Sequence, residues 1–215
     1  MGLPTIAPYD MPGEAQLPIN RVDWRPHPDR AVLLVHDMQN HFLRPFTQDQ
    51  APVVQLKEHI NELRAACAHL SIPVVYTAQP GGQTVEERGL QLDMWGTGIG
   101  PDPADAAIDD ELTPSAQDIQ LTKWRYNAFH RTDLHDVLAL HSRDQLVITG
   151  IYAHIGCLMT AAAAFMQDIQ AFVVDDAMAE FSRPEHEMAI NYAASRCAVT
   201  TTTERIISQL RGESR

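Results

Sequence analysis

Residues 31–37 read Ala-Val-Leu-Leu-Val-His-Asp, a short apolar run that ends in two polar side chains. Near-continuous apolar character is typical of a strand that is covered on both faces of a parallel sheet. The alternation of such runs with helical patterns predicts an α/β fold, a three-layer α/β/α sandwich around a mostly parallel, doubly wound sheet. Further strands are predicted at 73–78, 118–123, 145–150, 171–175 and 198–202, and helices at 51–70, 133–141, 157–168, 184–196 and 203–210.

Two segments outside these runs differ from them in composition. Six of the fourteen prolines fall within residues 1–30, which argues against helix and central strand there and predicts an extended arm. Apolar residues spaced through the arm, such as Ile6 and Trp24, indicate that it packs on the single domain predicted for residues 31–215. Residues 79–115 are rich in glycine and proline and predict long loops above the sheet, which in compact domains are usually functional.

The composition limits the classes of partner. Sixteen Lys and Arg residues against 28 Asp and Glu give a formal net charge of −12, which disfavours nucleic acid and anionic membrane surfaces. The longest aliphatic run, residues 31–35, is far shorter than the roughly 20 residues that cross a bilayer, and no signal peptide opens the chain. We therefore expect a cytoplasmic protein with reduced cysteines. No motif predicts a metal site or a dinucleotide cofactor.

Polar residues that close predicted strands are the first candidates for a site, because ligands collect at the carboxyl ends of parallel strands. Asp37 follows the apolar run and can serve as a general acid or as a cap for the next loop. Lys123 closes the strand at 118–123 and is one of only two lysines, which favours a functional ammonium. It can hold a substrate carboxylate or tune the pKa of Asp37. Burial raises that pKa and a nearby ammonium lowers it, so the net direction is open.

Three further positions, His36, Gly156 and Cys157, also close or follow predicted strands and are interpreted one by one. Because side chains alternate along a strand, His36 and Asp37 are not expected to face the same pocket, and His36 is predicted to be a hydrogen-bonded core residue. Gly156 precedes the helix predicted at 157–168 and lets a ligand approach backbone amides, although a tight turn explains the same glycine. Cys157 is either a buried packing group or an activated nucleophile.

A set of motifs carries the strongest functional signal: Val35-His36-Asp37-Met38-Gln39, Tyr76-Thr77-Ala78-Gln79-Pro80, Leu121 to Tyr126, Gly150 to Gly156, Phe181-Ser182, His186, and Tyr192 to Arg196. Together they resemble the isochorismatases of the cysteine-hydrolase superfamily, and the likeness covers nearly the whole chain. The sequence is similar both to the isochorismatase domain of catechol siderophore pathways and to the phenazine-pathway hydrolase of 2-amino-2-deoxyisochorismate. An isochorismatase-like, Rossmann-like fold is implied.

The resemblance also implies an activity and a role for each site residue. The activity is hydrolysis of the enolpyruvyl ether of isochorismate, or of its 2-amino-2-deoxy analogue, to pyruvate and a dihydro-hydroxy ring acid, with no cofactor. Asp37 is then the general acid that protonates the methylene carbon of the vinyl ether, and Lys123 and Arg88 match the cations that hold the two substrate carboxylates. The other implied substrate contacts are Gln79, the amide at Gly156, and an aromatic wall of Phe42, Trp95 and Tyr152.

The resemblance places the nucleophilic cysteine of the wider superfamily at Gly156, one residue before Cys157. Neighbouring residues at a helix start point about 100° apart, so Cys157 is not expected to replace that nucleophile. Two rival interpretations stay open: a nicotinamidase-like cysteine amidohydrolase that uses Cys157, and a non-catalytic module that binds a chorismate-like ligand. The resemblance further implies a homodimer or larger homo-oligomer. The few residues after Leu210 predict no fused carrier domain.

Overall fold

The computed structural model of this chain describes residues 3–213, in which helices cover both faces of a sheet. The strands are β1 (Ala31–His36), β2 (Val74–Ala78), β3 (Ile119–Thr122), β4 (Gln145–Ile151), β5 (Gln170–Ala179) and β6 (Ala198–Thr201). The helices are α1 (Asn40–Leu43), α2 (Val53–His69), α3 (Val85–Arg88), α4 (Gln91–Trp95), α5 (Pro103–Ala106), α6 (Leu134–Leu140), α7 (Leu158–Phe165), α8 (Arg183–Arg196) and α9 (Thr203–Leu210). Short 3₁₀ turns lie at Glu14–Gln16 and Asp110–Leu112, and a π-helical turn at Ala153–Cys157. None of the helices within residues 3–213 is long and apolar enough to span a bilayer.

The strand order decides where a ligand can bind. Over the described residues the order is β3-β2-β1-β4-β5-β6, and every neighbouring pair is parallel. The order reverses between β1 and β4, which pair in register up to His36 opposite Gly150. Such a reversal leaves a crevice outside the carboxyl ends of the two strands. The predicted doubly wound α/β/α sandwich is therefore confirmed, and its crevice lies just beyond His36.

Two apolar layers hold the helices on the sheet. Leu33 and Val35 belong to the layer that includes α2 and α9, whereas Val32 and Leu34 belong to the layer that includes α6, α7 and α8. All four side chains are fully buried. Strand β1 is therefore covered by helices on both faces, as its apolar sequence predicted, and it lies at the centre of the core.

The fifth strand continues to Ala179, beyond the end predicted at residue 175. Two acidic residues in this strand do not end it, because each has a partner inside the fold. Asp175 Oδ1 lies 3.0 Å from Nε2 of His186. Asp176 Oδ1 accepts hydrogen bonds from the N–H and the hydroxyl of Thr203, both at 2.8 Å. Carboxylates with such partners are tolerated in a buried strand.

The segment predicted as long loops, residues 79–115, is partly helical. It contains α3, α4 and α5, each of four or five residues. Helix α3 begins at a capping box, in which Thr84 Oγ1 accepts from the Glu87 N–H and the Glu87 carboxylate accepts from the Thr84 N–H. Helices this short lack the periodic apolar pattern that predicts longer ones. They bring Arg88 and Trp95 to the crevice.

The arm contacts the domain at several points along residues 3–30. It is extended apart from short turns, and Ile6 is buried in the same apolar layer as α2. The carboxamide of Asn20 donates to the carbonyl of Thr200 at 2.9 Å and accepts from its N–H at 2.7 Å. These contacts support an arm that packs on the domain. Residues 1 and 2 of the arm lie outside the described part, and the division of the chain at residue 30 stays a prediction.

Candidate active site

A cavity of about 420 Å³ opens at the crevice between β1 and β4. The residues that line it come from the ends of β1 to β4, from helices α1, α3 and α4, from the segments that follow these elements and β5, and from the arm. They include every site residue expected from the sequence, namely Asp37, Lys123, Phe42, Gln79, Arg88, Trp95, Tyr152 and Gly156. The fold thus gathers the expected residues in one place, and their contacts define what each can do.

Asp37 lies directly beyond β1, where the backbone leaves the strand. Its φ angle is +51°, a left-handed conformation that aspartate adopts more readily than most residues. Its carboxylate accepts a hydrogen bond from the hydroxyl of Thr77 at 2.7 Å and another from the amide of Gln79 at 3.1 Å. Since both donors come from the end of β2, two neighbouring strand ends orient this buried carboxylate towards the cavity.

Lys123 completes the environment of that carboxylate. It follows β3 directly, and its backbone N–H donates to the carbonyl of Ala78 at the end of β2. This bond fixes the position of Lys123 at the carboxyl end of the sheet. Its ammonium lies 2.8 Å from Asp37 Oδ2 and donates to the carbonyl of Arg125 at 2.6 Å. The side chain is 1% exposed, so the ion pair is shielded from water. An ammonium has three donors, and Lys123 lines the cavity, from which a ligand can approach the third donor.

Opposing effects act on the pKa of Asp37. Burial raises it, but the ammonium of Lys123 lowers it, with further lowering from His36 and from the hydrogen bond of Gln79. The lowering effects prevail, and the net pKa is below the ordinary value of an aspartate. The direction that the sequence left open is therefore downward. In the free site Asp37 is ionised at neutral pH.

Gln39, from the same motif as Asp37, fixes the neighbouring Gln79. Its carboxamide donates to the carbonyls of Gln79 and Ala106 at 2.8 and 2.7 Å, and it accepts from the Gln79 N–H at 2.7 Å. Gln39 is fully buried. Because these bonds use the backbone of Gln79, its own carboxamide stays directed at Asp37 and at Arg88, whose Nη1 lies 3.4 Å from Gln79 Oε1.

Arg88 is a buried cation that forms no ion pair with any residue in 3–213. It is 5% exposed, its Nε donates to the carbonyl of Gly96 at 2.9 Å, and its Nη1 lies 3.5 Å from Gln91 Oε1. Burial lowers the pKa of Arg88, although a guanidinium keeps its proton in a protein. Gly98 gives it room, since a Cβ there would lie 2.7 Å from the guanidinium carbon. A carboxylate bound in the cavity would supply the missing counter-charge.

An aromatic wall closes one side of the cavity. The buried Tyr152 donates its hydroxyl to the carbonyl of Phe42 at 2.6 Å, and the two rings lie 6.2 Å apart. The indole N–H of Trp95 donates to the hydroxyl of Tyr126 at 2.6 Å, which ties α4 to the segment after β3. The ring of Phe181 contacts both Tyr152 and Trp95, with centroids 4.3 and 5.9 Å away.

His36 and Gly156 approach each other at the cavity. The buried imidazole of His36 has its Nδ1 2.8 Å from the carbonyl of Ile151, as expected for a hydrogen-bonded core residue. A Cβ at position 156 would lie 2.7 Å from Nε2 and 2.8 Å from Nδ1 of this ring, so glycine alone fits without moving it. The amide of Gly156 already donates to the carbonyl of Tyr152 at 3.0 Å. Gly156 lines the cavity, and its expected contact with the substrate stays a prediction.

Strand alternation gave a wrong expectation for His36 and Asp37. Both residues line the cavity, although neighbouring side chains of a regular strand face opposite sides. The reason is that β1 ends at His36 and that the left-handed backbone of Asp37 redirects its side chain. The two groups consequently come within 3.8 Å of each other, measured from His36 Nδ1 to Asp37 Oδ1.

A comparison with protein families identifies the family of this chain. The model of the isochorismatase domain matches residues 31–205, which is most of the chain. The chain belongs to the isochorismatase family. It is 52% identical over 210 residues to the protein named isochorismatase from Bacillus subtilis strain 168, an alignment that covers 98% of this chain and 67% of that protein.

Two further proteins are similar to this chain, one in sequence and one in fold. The chain is 46% identical over 206 residues to the phenazine biosynthesis protein PhzD1 of Pseudomonas aeruginosa, covering 96% of this chain and 99% of that protein. The crystal structure of a cysteine hydrolase from Pseudomonas syringae pv. phaseolicola matches with a TM-score of 0.81 at 21% identity, covering 92% of this chain and 99% of that one. This last likeness shows a common fold.

The cysteine beside the isochorismatase-family cavity lies in the core. Cys157 is fully buried in the apolar layer of α6, α7 and α8, and its thiol faces the carbonyl of Thr149 at 3.9 Å. Burial raises the pKa of the Cys157 thiol well above its usual range, and the charge of Asp37 adds to the effect. An activated nucleophile needs an accessible thiol with a lowered pKa. The geometry therefore favours the packing interpretation of Cys157.

Several residues of the cavity were missed in the sequence. Phe181 follows the part of β5 that was not predicted, and a correct strand end would have marked it as a candidate. Gln91 lies in the short helix α4 and Leu3 in the arm, where no periodic pattern signals a site. Tyr126 belongs to a quoted motif and His41 precedes the expected residue Phe42, but nothing in the spacing of either marks it as a site residue.

Metal-binding side chains are not clustered in the described part of the chain. No group of three or more His, Cys, Asp or Glu residues there could hold a metal ion. The nearest candidates, His36 and Asp37, already contact backbone carbonyls and Lys123. The expectation that the reaction needs no cofactor stays a prediction.

Proposed function

We propose that this chain hydrolyses the enolpyruvyl ether of isochorismate or of its 2-amino-2-deoxy analogue. The products are pyruvate and trans-2,3-dihydro-2,3-dihydroxybenzoate from isochorismate, or trans-2,3-dihydro-3-hydroxyanthranilate from the amino analogue. One observation carries the proposal: a buried carboxylate–ammonium pair, Asp37 and Lys123, shares a cavity with Arg88, a buried cation that has no counter-charge within residues 3–213. Relatives named isochorismatase and PhzD1 support the same chemistry.

The cavity suits a ligand with two carboxylates and a ring. Arg88 has free N–H donors on a fixed guanidinium and takes one carboxylate as a charge-assisted pair. Lys123 takes the other, sharing its ammonium between that group and Asp37. Tyr152, Trp95 and Phe42 enclose the ring and exclude water. Local cations are required here because the protein as a whole carries a net charge of −12.

Asp37 is the general acid of the proposed reaction. Its proton passes to the methylene carbon, the C=C electron pair forms the new C–H bond, and the ether oxygen stabilises the oxocarbenium ion. Water adds to the cationic carbon and returns a proton to Asp37, and the hemiketal collapses to pyruvate and the ring alcohol. Acid catalysis of this kind is worth about 10²- to 10⁴-fold, and positioning by the cavity adds to it.

Asp37 acquires its proton as the substrate binds. In the free site the ammonium of Lys123 holds the pKa of Asp37 below its ordinary value. A substrate carboxylate that pairs with Lys123 weakens this effect, and its own negative charge opposes the ionised form of Asp37. Both effects raise the pKa in the complex. Burial then favours the neutral carboxylic acid that the first step requires.

The pH dependence tests this sequence of events. The profile of kcat/KM reports the free enzyme and that of kcat reports the complex. Because the acid form reacts, kcat/KM should fall by about tenfold per pH unit through the neutral range, whereas kcat should hold its plateau to a higher pH. A kcat that rises with pH instead would identify Asp37 as a base and contradict the assignment.

The activity itself is tested by pyruvate release. Purified protein is mixed with isochorismate or with its 2-amino-2-deoxy analogue, and pyruvate is followed by coupling to lactate dehydrogenase. Turnover of either compound supports the proposal, and the ratio of the two kcat/KM values identifies the preferred ring substituent. No release from either compound, combined with tight binding, would favour the non-catalytic module.

A cysteine amidohydrolase is a less suitable interpretation of the same fold. It would require the thiol of Cys157 in the cavity, but that thiol is fully buried in the apolar layer of α6, α7 and α8. Formation of a thioester on Cys157 during turnover, detected as a mass increase of the intact protein, would reverse this judgement.

Further proposals concern the state of the protein in the cell. As the family resemblance implies, we propose a cytoplasmic homodimer or larger homo-oligomer, with residues 1–30 as an arm on the domain 31–215. Sedimentation velocity at micromolar concentration measures the assembly directly. A single monomeric species over the whole concentration range would contradict that proposal.

A further inference from the structure

A second buried carboxylate lies beside the cavity and has no part in the proposed chemistry. Glu180 follows β5 directly and is 0% exposed. Its Oε2 accepts from the N–H of His154 at 2.6 Å and its Oε1 accepts from the N–H of Phe181 at 2.7 Å. No Lys or Arg within residues 3–213 pairs with it. The charged group that approaches it is the imidazole of His154, whose Nδ1 lies 2.7 Å from Oε2.

The two backbone groups that Glu180 binds belong to different parts of the cavity. Phe181 contacts Tyr152 and Trp95 in the aromatic wall. His154 belongs to the π-helical turn that also contains Gly156, and its ring meets that of Phe181 edge to face at 5.9 Å. One carboxylate therefore joins the end of β5 to the turn after β4, at the position where the substrate ring would lie.

The charge of this carboxylate requires compensation inside the fold, because a buried unpaired charge is strongly destabilising. His154 can supply it, since its side chain is 26% exposed and can exchange protons with solvent. The carboxylate of Glu180 raises the pKa of His154, and Glu185 on the first turn of α8 adds to the effect. On the other side, the N–H of Glu180 donates to the hydroxyl of Tyr9 in the arm at 2.8 Å.

We propose that Glu180 and protonated His154 form a positioning pair that fixes Phe181 against Tyr152 and thereby sets the substrate-binding wall. The inference rests on the proposed function for its kinetic consequence, but the pair itself can be observed without turnover. Neither residue contacts the reacting atoms. Their loss should weaken substrate binding more than it slows the chemical step.

The pair has a defined pH dependence. His154 has a raised pKa in the folded protein, so the ion pair is present below that pKa and is lost as the pH rises through it. The titratable groups around His154 are Glu180 at the end of β5 and Glu185 on α8, both acidic. KM already rises with pH because free Asp37 loses its proton, and we expect the loss of the His154 proton to add a further rise, while the Phe181–Tyr152 contact loosens.

NMR and kinetics on the full chain test the pair together. The imidazole proton signal of His154 is assigned by its loss in His154→Gln. In the wild type its titration should give a pKa above the ordinary value of about 6.5, and in Glu180→Gln this pKa should fall towards the ordinary value. Glu180→Gln should raise KM for isochorismate about tenfold and leave kcat within about threefold. His154→Gln, a change at a partly exposed position, should raise KM similarly at neutral pH. The ratio of its KM to that of the wild type should fall towards one at alkaline pH, where wild-type His154 has lost its proton. His135→Gln is the matched control, since His135 is an exposed histidine beside the carboxylate of Asp136. This variant should change neither KM nor the pH dependence of KM.

The outcomes separate the two proposals. Unaltered nuclear Overhauser effects between the rings of Phe181 and Tyr152 in both variants, or an unchanged KM in both, would overturn the positioning pair. If wild-type protein releases no pyruvate, the proposed function fails. The His154 titration and the ring contacts then still decide whether the pair exists, because neither measurement needs turnover.

Discussion

Two buried carboxylates, Asp37 in the lining of the cavity and Glu180 next to the lining residue Phe181, are held in different ways. Asp37 is bound by side chains alone: the hydroxyl of Thr77, the amide of Gln79 and the ammonium of Lys123. Glu180 is bound mainly by backbone N–H groups, with an imidazole beside it. Side-chain donors can turn to a ligand, whereas backbone donors keep their direction. The first arrangement therefore suits a group that changes its protonation in each turnover, and the second suits a group that holds the wall.

The largest effect should come from removing the acid. Asp37→Asn keeps the shape and the hydrogen bonds of the carboxylate but has no proton to give, so kcat should fall by about 10²- to 10⁴-fold with little change in binding. The coupled pyruvate assay measures the loss, and Asp136→Asn, an exposed change on α6, is the control. If Asp37→Asn and Glu180→Gln had equal effects on kcat, the contrast between the two carboxylates would be lost.

Removing the lysine should alter the pH at which the first carboxylate works. In Lys123→Met, burial acts without the ammonium, so the pKa of Asp37 should rise above its ordinary value and the decline of kcat/KM should move to higher pH. Breaking a buried pair costs about 3–5 kcal/mol where the remaining partner is charged. In urea unfolding, the free energy of unfolding of the variant should therefore be lowest at alkaline pH, where Asp37 is ionised without its partner. In the wild type the dependence is reversed, because the ion pair stabilises the fold above the lowered pKa of Asp37 and this contribution is lost as the pH falls through that pKa. Equal stability losses at pH 5 and pH 9 would contradict this sign.

One turn connects the two carboxylates, and a methyl group should disturb both. The π-helical turn has His154 against Glu180 at one end and Gly156 against His36 at the other. Gly156→Ala should push the His36 ring towards Asp37 and lower kcat by about ten- to a hundredfold, since small misplacements are costly in catalysis. The double variant His36→Ala with Gly156→Ala should lose little more than His36→Ala alone, which a double-mutant cycle on kcat reveals.

The smallest effect should come from the adjacent residue. Cys157→Ala removes a buried thiol from the apolar layer of α6, α7 and α8. We expect a loss of about 1–2 kcal/mol in the free energy of unfolding, because the missing sulfur leaves a small void, and a kcat within about twofold of wild type. Thermal unfolding and the pyruvate assay measure the two quantities. Complete loss of turnover in a folded Cys157→Ala protein would restore the cysteine mechanism.

The central part of the fold could be predicted from the sequence because its physics is local. The run at 31–35 is apolar throughout since both of its faces are covered, and the polar residues after it mark the crevice. Asp37 and Lys123 stood out at strand ends, and the structure places them 2.8 Å apart. Arg88 came only from the family resemblance, because a four-residue helix has no periodic pattern to reveal it.

The remaining differences come from tertiary partners that a single sequence does not display. Asp175 and Asp176 read as the end of β5, yet both lie within the strand beside residues from later in the chain. His186 Nε2 lies 3.0 Å from Asp175 Oδ1, and Thr203 donates to Asp176. That error hid Phe181, two residues beyond the true end. The left-handed backbone of Asp37 similarly invalidated an argument from regular alternation. In each case a local rule failed where the chain meets a distant segment.

The indole of Trp95 turns the cavity into an optical sensor of its own occupancy. Of the three tryptophans, Trp95 lines the cavity, whereas Trp24 belongs to the arm and Trp124 packs under the guanidinium of Arg131 at 5.2 Å. Changing the other two to phenylalanine would leave a single emitter, hydrogen-bonded to Tyr126 and in contact with the incoming ring. Its fluorescence could then time ligand arrival in a rapid-mixing experiment, separately from the bond cleavage that follows.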